Sequence, residues 1–235
     1  YGNGNGTLQA GGGARTISNA VTLVGNTIFS GANDFTFTGA LSLTGNRTLT
    51  VNNNSVTFSG AFASSASSLT KDGPGTLTLS GTAANAYTGG TVVNDGRLVL
   101  AKNAGINAFG STVLTIGNGT GAATSAVVQL DAANQIPNAA SITLNADGQL
   151  NLQSFTDTIT ALTTTGGSII GTGRLDLGGN VTASATGTNV TTISANLGLN
   201  ANRTFAVNDN SVSADIDFAI SGVISNGGTT SKLTK

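Results

Sequence analysis

The chain has no cysteine, no histidine, no methionine and no tryptophan, and only two prolines in 235 residues. Glutamate is missing too: all ten acidic residues are aspartate. Without cysteine there are no disulfides and no thiolate metal sites, a lack that many secreted bacterial proteins share and that fixes no compartment by itself. Without histidine there is no imidazole acid, base or triad. Without glutamate and methionine, and with few strong helix formers besides alanine, a helical domain is disfavoured. Charged residues make up 8% of the chain, against roughly a quarter in ordinary soluble domains. The nine Lys and Arg fall singly along the sequence, so no basic stripe exists to displace counterions, and nucleic acid is set aside as a partner. No apolar run reaches the length of a membrane helix, so this segment is not expected to insert into a membrane directly. No signal peptide is visible and the first residue is Tyr1, which reads as a mature or excised segment of something longer. The glycine-rich stretches lack the Gly-x-x-x-x-Gly-Lys-Ser/Thr spacing of a phosphate loop.

What remains is glycine (34 residues), threonine, serine and asparagine around short apolar runs, with 38% hydrophobic residues and a mean hydropathy of +0.15. So little charge and so much glycine can mark disorder, but here the apolar residues alternate with polar ones and call for burial. Gly-x-Leu-x-Leu occurs at Gly75-Leu77-Leu79, Gly96-Leu98-Leu100, Gly148-Leu150-Leu152 and Gly173-Leu175-Leu177, with a fainter form at Gly6-Thr7-Leu8. Similar alternation fills Phe35-Thr36-Phe37, Leu41-Ser42-Leu43, Val56-Thr57-Phe58 and Ile142-Thr143-Leu144. Gly, Asn, Asp or Ser bounds each run, which predicts strands of three to six residues with Leu, Val, Ile and Phe inward and Thr outward.

The runs recur. Leu77 and Leu98 are 21 residues apart, as are Phe35 and Val56; Leu98 to Leu114 is 16 and Val128 to Ile142 is 14. This spacing predicts an all-β fold, a parallel, right-handed β-helix or β-solenoid. An antiparallel sandwich of many short strands is the alternative. At about 20 residues per coil, roughly a dozen rungs would span on the order of 50–60 Å. "NRTLTVNNNSVT" (46–57) returns as "NRTFAVNDNSVS" (202–213), identical at eight of twelve positions. "ISNAVTL" (17–23) resembles "IPNAASITL" (136–144), and the closing "LTK" joined to the opening "YGNGNGTLQAGG" would read like the interior junction at 69–81. No domain boundary stands out: residues 64–68 and 182–188 read as loops, and 1–235 as one continuous solenoid segment, part of a longer array or stacking end to end.

From Lys71 the sequence runs "KDGPGTLTLSGTAANAYTGGTVVNDGRLVL". It resembles the autotransporter-associated β-strand repeat, also called the passenger-associated transport repeat. Lys71, Gly73, Gly75, Thr76, Leu77, Leu79 and Gly81 match the first part of that pattern. Asn85, Tyr87, Gly89 and Thr91 match the second, and Gly96, Leu98 and Leu100 complete it. The resemblance implies a parallel β-helix in a bacterial protein exported through the outer membrane, secreted or held at the cell surface, with a C-terminal translocator barrel that this sequence does not contain. Residues 101–200 keep only the alternating Gly-x-Leu-x-Leu core of the motif.

The sites with a chance of chemistry are few. Alternation puts Asp215 and Asp217 on one face, where they are read as solvated and, failing that, as a Ca²⁺ or paired-carboxylate site; Asp209 adds little. Arg47 and Arg203, equivalent in the two copies, would cover a corner and pair with a nearby carboxylate, or grip an acidic sugar. Lys71 and Lys235 are expected in the turn before a strand. Tyr87 would pack over a turn rather than stack on a sugar. Phe35, Phe37, Phe58, Phe205 and Phe218 read as core. Thr-x-Thr at Thr36–Thr38, Thr48–Thr50 and Thr76–Thr78 does not recur on every coil, which argues against a regular array of the ice-binding kind. Asn-x-Ser/Thr at Asn46, Asn118 and Asn180 is what this composition produces by itself. The expected protein is a non-enzymatic structural rod without cofactor or metal: stalk, extracellular fibre or adhesin. Its partners would be neighbouring repeats, copies of itself, glycans, or host or matrix surfaces. A glycan-binding or polysaccharide-degrading β-helix is the alternative.

Overall fold

The computed structural model describes residues 5–52, 55–184, 187–208, 216–226 and 231–235. Among them every strand pair is parallel, and there is no helix. The antiparallel sandwich is thereby excluded, and the chain is a β-solenoid. It visits three sides in fixed order. The first side is an eleven-stranded sheet from Gly6–Gln9 to Leu233–Thr234, and the second a ten-stranded sheet from Arg15–Ile17 to Phe218–Ile220. The third side carries strands only in places. Val21–Leu23 pairs with Leu41–Leu43, and Thr156–Ile159, Arg174–Leu177, Asn196–Gly198 and Ile224–Ser225 form a four-stranded sheet. Between these the side is made of turns, joined by bridges such as Leu41 to Phe62 and Ser65 to Tyr87.

The alternation sets the faces as expected. In Thr76–Gly81, Leu77 and Leu79 are wholly buried and their threonine neighbours partly exposed. The inward residues form one continuous core from Ala10 to Phe205, each large side chain contributing about 1.5–3 kcal/mol by leaving water. Near the N-terminal end the core is aromatic: Phe29, Phe35, Phe37, Phe58, Phe62 and Tyr87 meet ring to ring at centroid distances of 5.0–6.4 Å. Phe218 is only partly buried and packs against the core rather than within it.

Registers confirm part of the predicted spacing. Leu77 pairs with Leu98 and Phe35 with Val56. The shorter intervals do not link successive coils: Leu98 pairs with Val128, and Leu114 with Thr91 and Ile142. The 16- and 14-residue intervals instead join strands on different sides of the rod. Circuits run from 18 residues (Thr156 to Arg174) to 30 (Leu98 to Val128). The eleven strands of the first sheet make ten steps, about 48 Å at the strand spacing of roughly 4.8 Å, slightly short of the expected dozen rungs.

Four local readings change. Gly6–Gln9 lies in the first sheet but Thr76–Gly81 in the second, so the opening "GTL" and the interior one are not equivalent in space, and neither is the tail-to-head junction built on them. Val21–Leu23 stands on the third side and Ser141–Leu144 in the first sheet, so 17–23 and 136–144 are not structural copies. Residues 182–184 belong to the strand Val181–Ser184 rather than to a loop. Threonine also forms ranks. On the outer face of the first sheet Thr48, Thr70, Val92, Thr115, Thr143, Thr163 and Thr182 stand in register on successive coils. Thr16, Thr36, Thr57 and Thr78 do so on the second. The first rank is single file: the column beside it runs Thr50, Asp72, so a paired array is not formed there.

Candidate functional site

The residues singled out by the repeat motif all lie on one circuit and its return, and the structure gives almost every one a contact with the coil before or after. Lys71 is not in a turn. It sits in the strand Leu69–Asp72, in phase with Leu69, 1% exposed. Its ammonium donates to three carbonyl oxygens: Asp72 O at 2.9 Å, Gly73 O at 2.5 Å and Asp95 O, one coil on, at 3.0 Å. The lysine thus staples the corner of one coil to the corner of the next. Burial pushes its pKa down to about 8, although Asp95 and Asp72 oppose the shift.

Gly73 turns that corner at φ +75°, where a Cβ would also lie 2.7 Å from Val51 O. Gly75 N donates to the same carbonyl, at 2.7 Å. Thr76, Leu77 and Leu79 then pair with Ser55, Val56 and Phe58 below and with Arg97, Leu98 and Leu100 above. Asn85 is buried and ties three coils together: its Oδ1 accepts the Phe62 N–H at 2.9 Å and its Nδ2 donates to Ala108 O at 2.7 Å. Tyr87 is wholly buried, edge-on to Phe62, with its hydroxyl 3.0 Å from Thr91 Oγ1. No sugar can stack on a ring so enclosed. Burial pushes that phenol well above its ordinary range. Gly81, Gly89 and Gly96 each lie where a Cβ would strike the backbone of the preceding coil.

Arg47 and Arg203 keep their predicted equivalence but not their predicted partner. Arg47 Nε donates to Leu23 O at 3.1 Å and Nη1 to Asn46 O; Arg203 Nε donates to Leu177 O at 2.8 Å and Nη1 to Asn202 O. Both cap backbone carbonyls at a corner. The asparagines beside them do the complementary work. Asn46 Oδ1 accepts Ser68 N–H and Asn202 Oδ1 accepts Lys232 N–H, at 2.9 Å each, and Asn180 Oδ1 accepts Thr204 N–H at 3.0 Å. Lys235 is exposed at the last described position. Asp209 and Asp215 lie outside the described residues, so the Asp215–Asp217 pairing does too. Among the described residues no group of three or more His, Cys, Asp or Glu is placed to hold a metal ion.

Buried polar groups that the motif does not include carry further weight. Asp157 is wholly buried; its Oδ2 accepts the N–H groups of Gln135 (2.7 Å) and Ile136 (3.0 Å), and its Oδ1 that of Thr158 (2.9 Å). Burial pushes its carboxyl up to about 6 against those hydrogen bonds. Asp147, 1% exposed, accepts the N–H groups of Asn118 and Gly119. Lys102, equally buried, has no hydrogen-bond partner for its ammonium among the described residues, and burial pushes it down to about 8. Arg174 and Asp176 form a two-pronged ion pair at 2.7 and 2.9 Å. A sequence signal existed for two of these, as it did for Lys71 of the motif: Lys71, Lys102 and Asp157 fall in phase with the inward Leu69, Leu100 and Ile159.

Residues 69–100 match the family model of the passenger-associated-transport-repeat. Comparison with curated proteins and with solved structures finds no match. The matched stretch is thus an autotransporter passenger-type repeat, and it lies in the parallel solenoid that the resemblance implies.

Proposed function

We propose, on the premise of that passenger-type repeat, that the chain is a non-enzymatic structural rod of a bacterial β-solenoid exported to the cell surface or the medium, serving as stalk, fibre or adhesin passenger. One observation carries the reading: the polar and glycine positions of the motif serve contacts from one coil to the next, and its apolar positions serve the core. A sequence selected for a catalytic groove would keep polar motif residues facing solvent; here Lys71, Asn85, Tyr87 and Thr91 all face inward. The outer faces carry ranks of threonine, suited to a hydrated, weakly charged surface that meets neighbouring copies, glycans or matrix.

The test is export and shape together. The chain, placed upstream of a translocator barrel in a Gram-negative host, should become accessible to external protease. When released it should appear in electron micrographs as rods that include a segment of about 48 Å. Retention inside the cell, or release as globular particles that cleave polysaccharide, would overturn the reading.

A further inference from the structure

The corner between the strands Val113–Ile116 and Ala126–Leu130 opens into the loop 117–125, exposed over most of its length. It is pinned from beneath by Asp147, whose carboxylate is 1% exposed. Asp147 Oδ1 accepts the Gly119 N–H at 2.7 Å, and Oδ2 accepts the Asn118 N–H at 3.1 Å. Above, the Asn118 side chain is exposed but fixed: its Oδ1 accepts both the Thr120 N–H at 2.9 Å and the Thr120 hydroxyl at 2.5 Å. Asn145 Nδ2 anchors the start of the loop through Gly117 O at 2.7 Å. An Asn–Gly peptide therefore has a carboxylate on the N–H of its glycine and two donors on the oxygen of its side-chain amide.

We infer that Asn118–Gly119 is a self-modification site, at which the folded protein converts Asn118 through a succinimide into aspartate and isoaspartate. Gly119 N attacks Asn118 Cγ, forming the N–Cγ bond and pushing the carbonyl electron pair onto Oδ1. That oxygen already holds the Thr120 N–H and hydroxyl, the donors a developing oxyanion needs. The proton of the Gly119 amide passes to the Asp147 carboxylate, which is within direct reach, and from there to the departing nitrogen. The Cγ–Nδ2 bond breaks and ammonia leaves. Water then opens the ring at either carbonyl, leaving an ordinary aspartyl residue or its isomer with the backbone routed through the former side chain. Glycine as the attacking residue has no Cβ to hinder the approach. The isomerised link adds a methylene to the backbone between the two N–H groups that Asp147 holds. The new carboxylate also repels the old one, so the loop is released.

Asn5–Gly6 provides the contrast within the chain: the Gly6 N–H donates to a backbone carbonyl, Asn26 O, at 3.0 Å. The experiment incubates the whole chain at neutral pH, folded and in denaturant, and follows Asn118 by peptide mapping with isoaspartate-specific labelling. Conversion of Asn118 should be at least about tenfold faster in the folded protein than in the denatured chain, a modest fraction of what a placed base and oxyanion donors contribute. Asp147→Ser cannot take the Gly119 proton and makes no new Asn–Gly pair, and Thr120→Ala leaves the Asp147 contacts in place; both should slow conversion to near the denatured rate. Folded and denatured chains converting alike, or Asp147→Ser converting at the wild-type rate with circular dichroism unchanged, would overturn the assignment.

Discussion

Two buried lysines show how one residue type can stabilise or weaken the same rod. Lys71 and Lys102 are each 1% exposed and each held down to about 8 by burial. Lys71 meets three carbonyl oxygens, whereas Lys102 meets no acceptor among the described residues. Lys71→Met should therefore destabilise by about 2–3 kcal/mol, because it orphans buried acceptors. Lys102→Met should stabilise at pH 7 by about 1–3 kcal/mol, because it removes an unpaired buried donor of similar shape. A depressed lysine pKa favours the folded state above the unfolded value of about 10.5 and withdraws that help as pH falls through about 8. The Lys102→Met gain should accordingly shrink above pH 10, and urea midpoints across that range check it. Asp157 runs the other way. Its carboxyl is raised from 3.8 to about 6, so its contribution is fully present below pH 3.8 and lost as pH rises through about 6. Up to about 3 kcal/mol is at stake between pH 4 and 7. Asp157→Asn should remove that slope, read as a smaller difference between urea midpoints at pH 4 and pH 7 than the wild type shows.

At the scale of a coil, the corners matter as much as the core. A Cβ on Gly60 would lie 1.8 Å from Gly39 O, and one on Gly39 would lie 2.1 Å from Asn19 O. These glycines stack directly upon one another, so neither coil can shift without breaking the ladder. Gly60→Ala should cost more than about 2 kcal/mol, against a few tenths for Gly90→Ala, where nothing lies within 4 Å; paired thermal melts decide it. The same contrast marks where sequence reading succeeds. Period-two alternation tells which side chains point inward, because neighbours on a strand take opposite faces, and it even carries the inward Lys71 and Asp157. It does not tell which side of the rod a strand joins. That depends on corner length, and corners here vary from the tight turn at Gly73 to the loop at 117–125. Intervals of 14 and 16 residues therefore resembled coils when they were steps between sides. The threonine ranks were hidden for the same reason: rank-mates such as Thr115 and Thr143 are a full and unequal circuit apart. The partners of Arg47 and Arg203 were illegible because backbone carbonyls leave no trace in residue type.

For the whole molecule, the decisive property is that a coil touches the coils next to it and little else, as the strand order of both long sheets shows. Stability is then close to a sum over neighbouring pairs rather than a single global quantity. Among the described residues the outermost strands of both long sheets pair on one side only, and the coils that carry them expose apolar side chains: Leu8 and Val24 at one end, Ile216, Val223 and Leu233 at the other. Amide exchange should therefore be slowest in the middle coils, around 77–79, 98–100 and 128–130, and quicken toward both ends. Lys71→Met sharpens the test, because its three lost bonds join only the coils at 71–73 and 95–96. Exchange should accelerate in those coils and their immediate neighbours while residues 175–199 keep their wild-type protection. A uniform acceleration along the whole chain would show instead a single cooperative unit. It would also remove the physical basis for coil-by-coil folding, in which each emerging circuit docks on the one before it as the chain is threaded out of a cell.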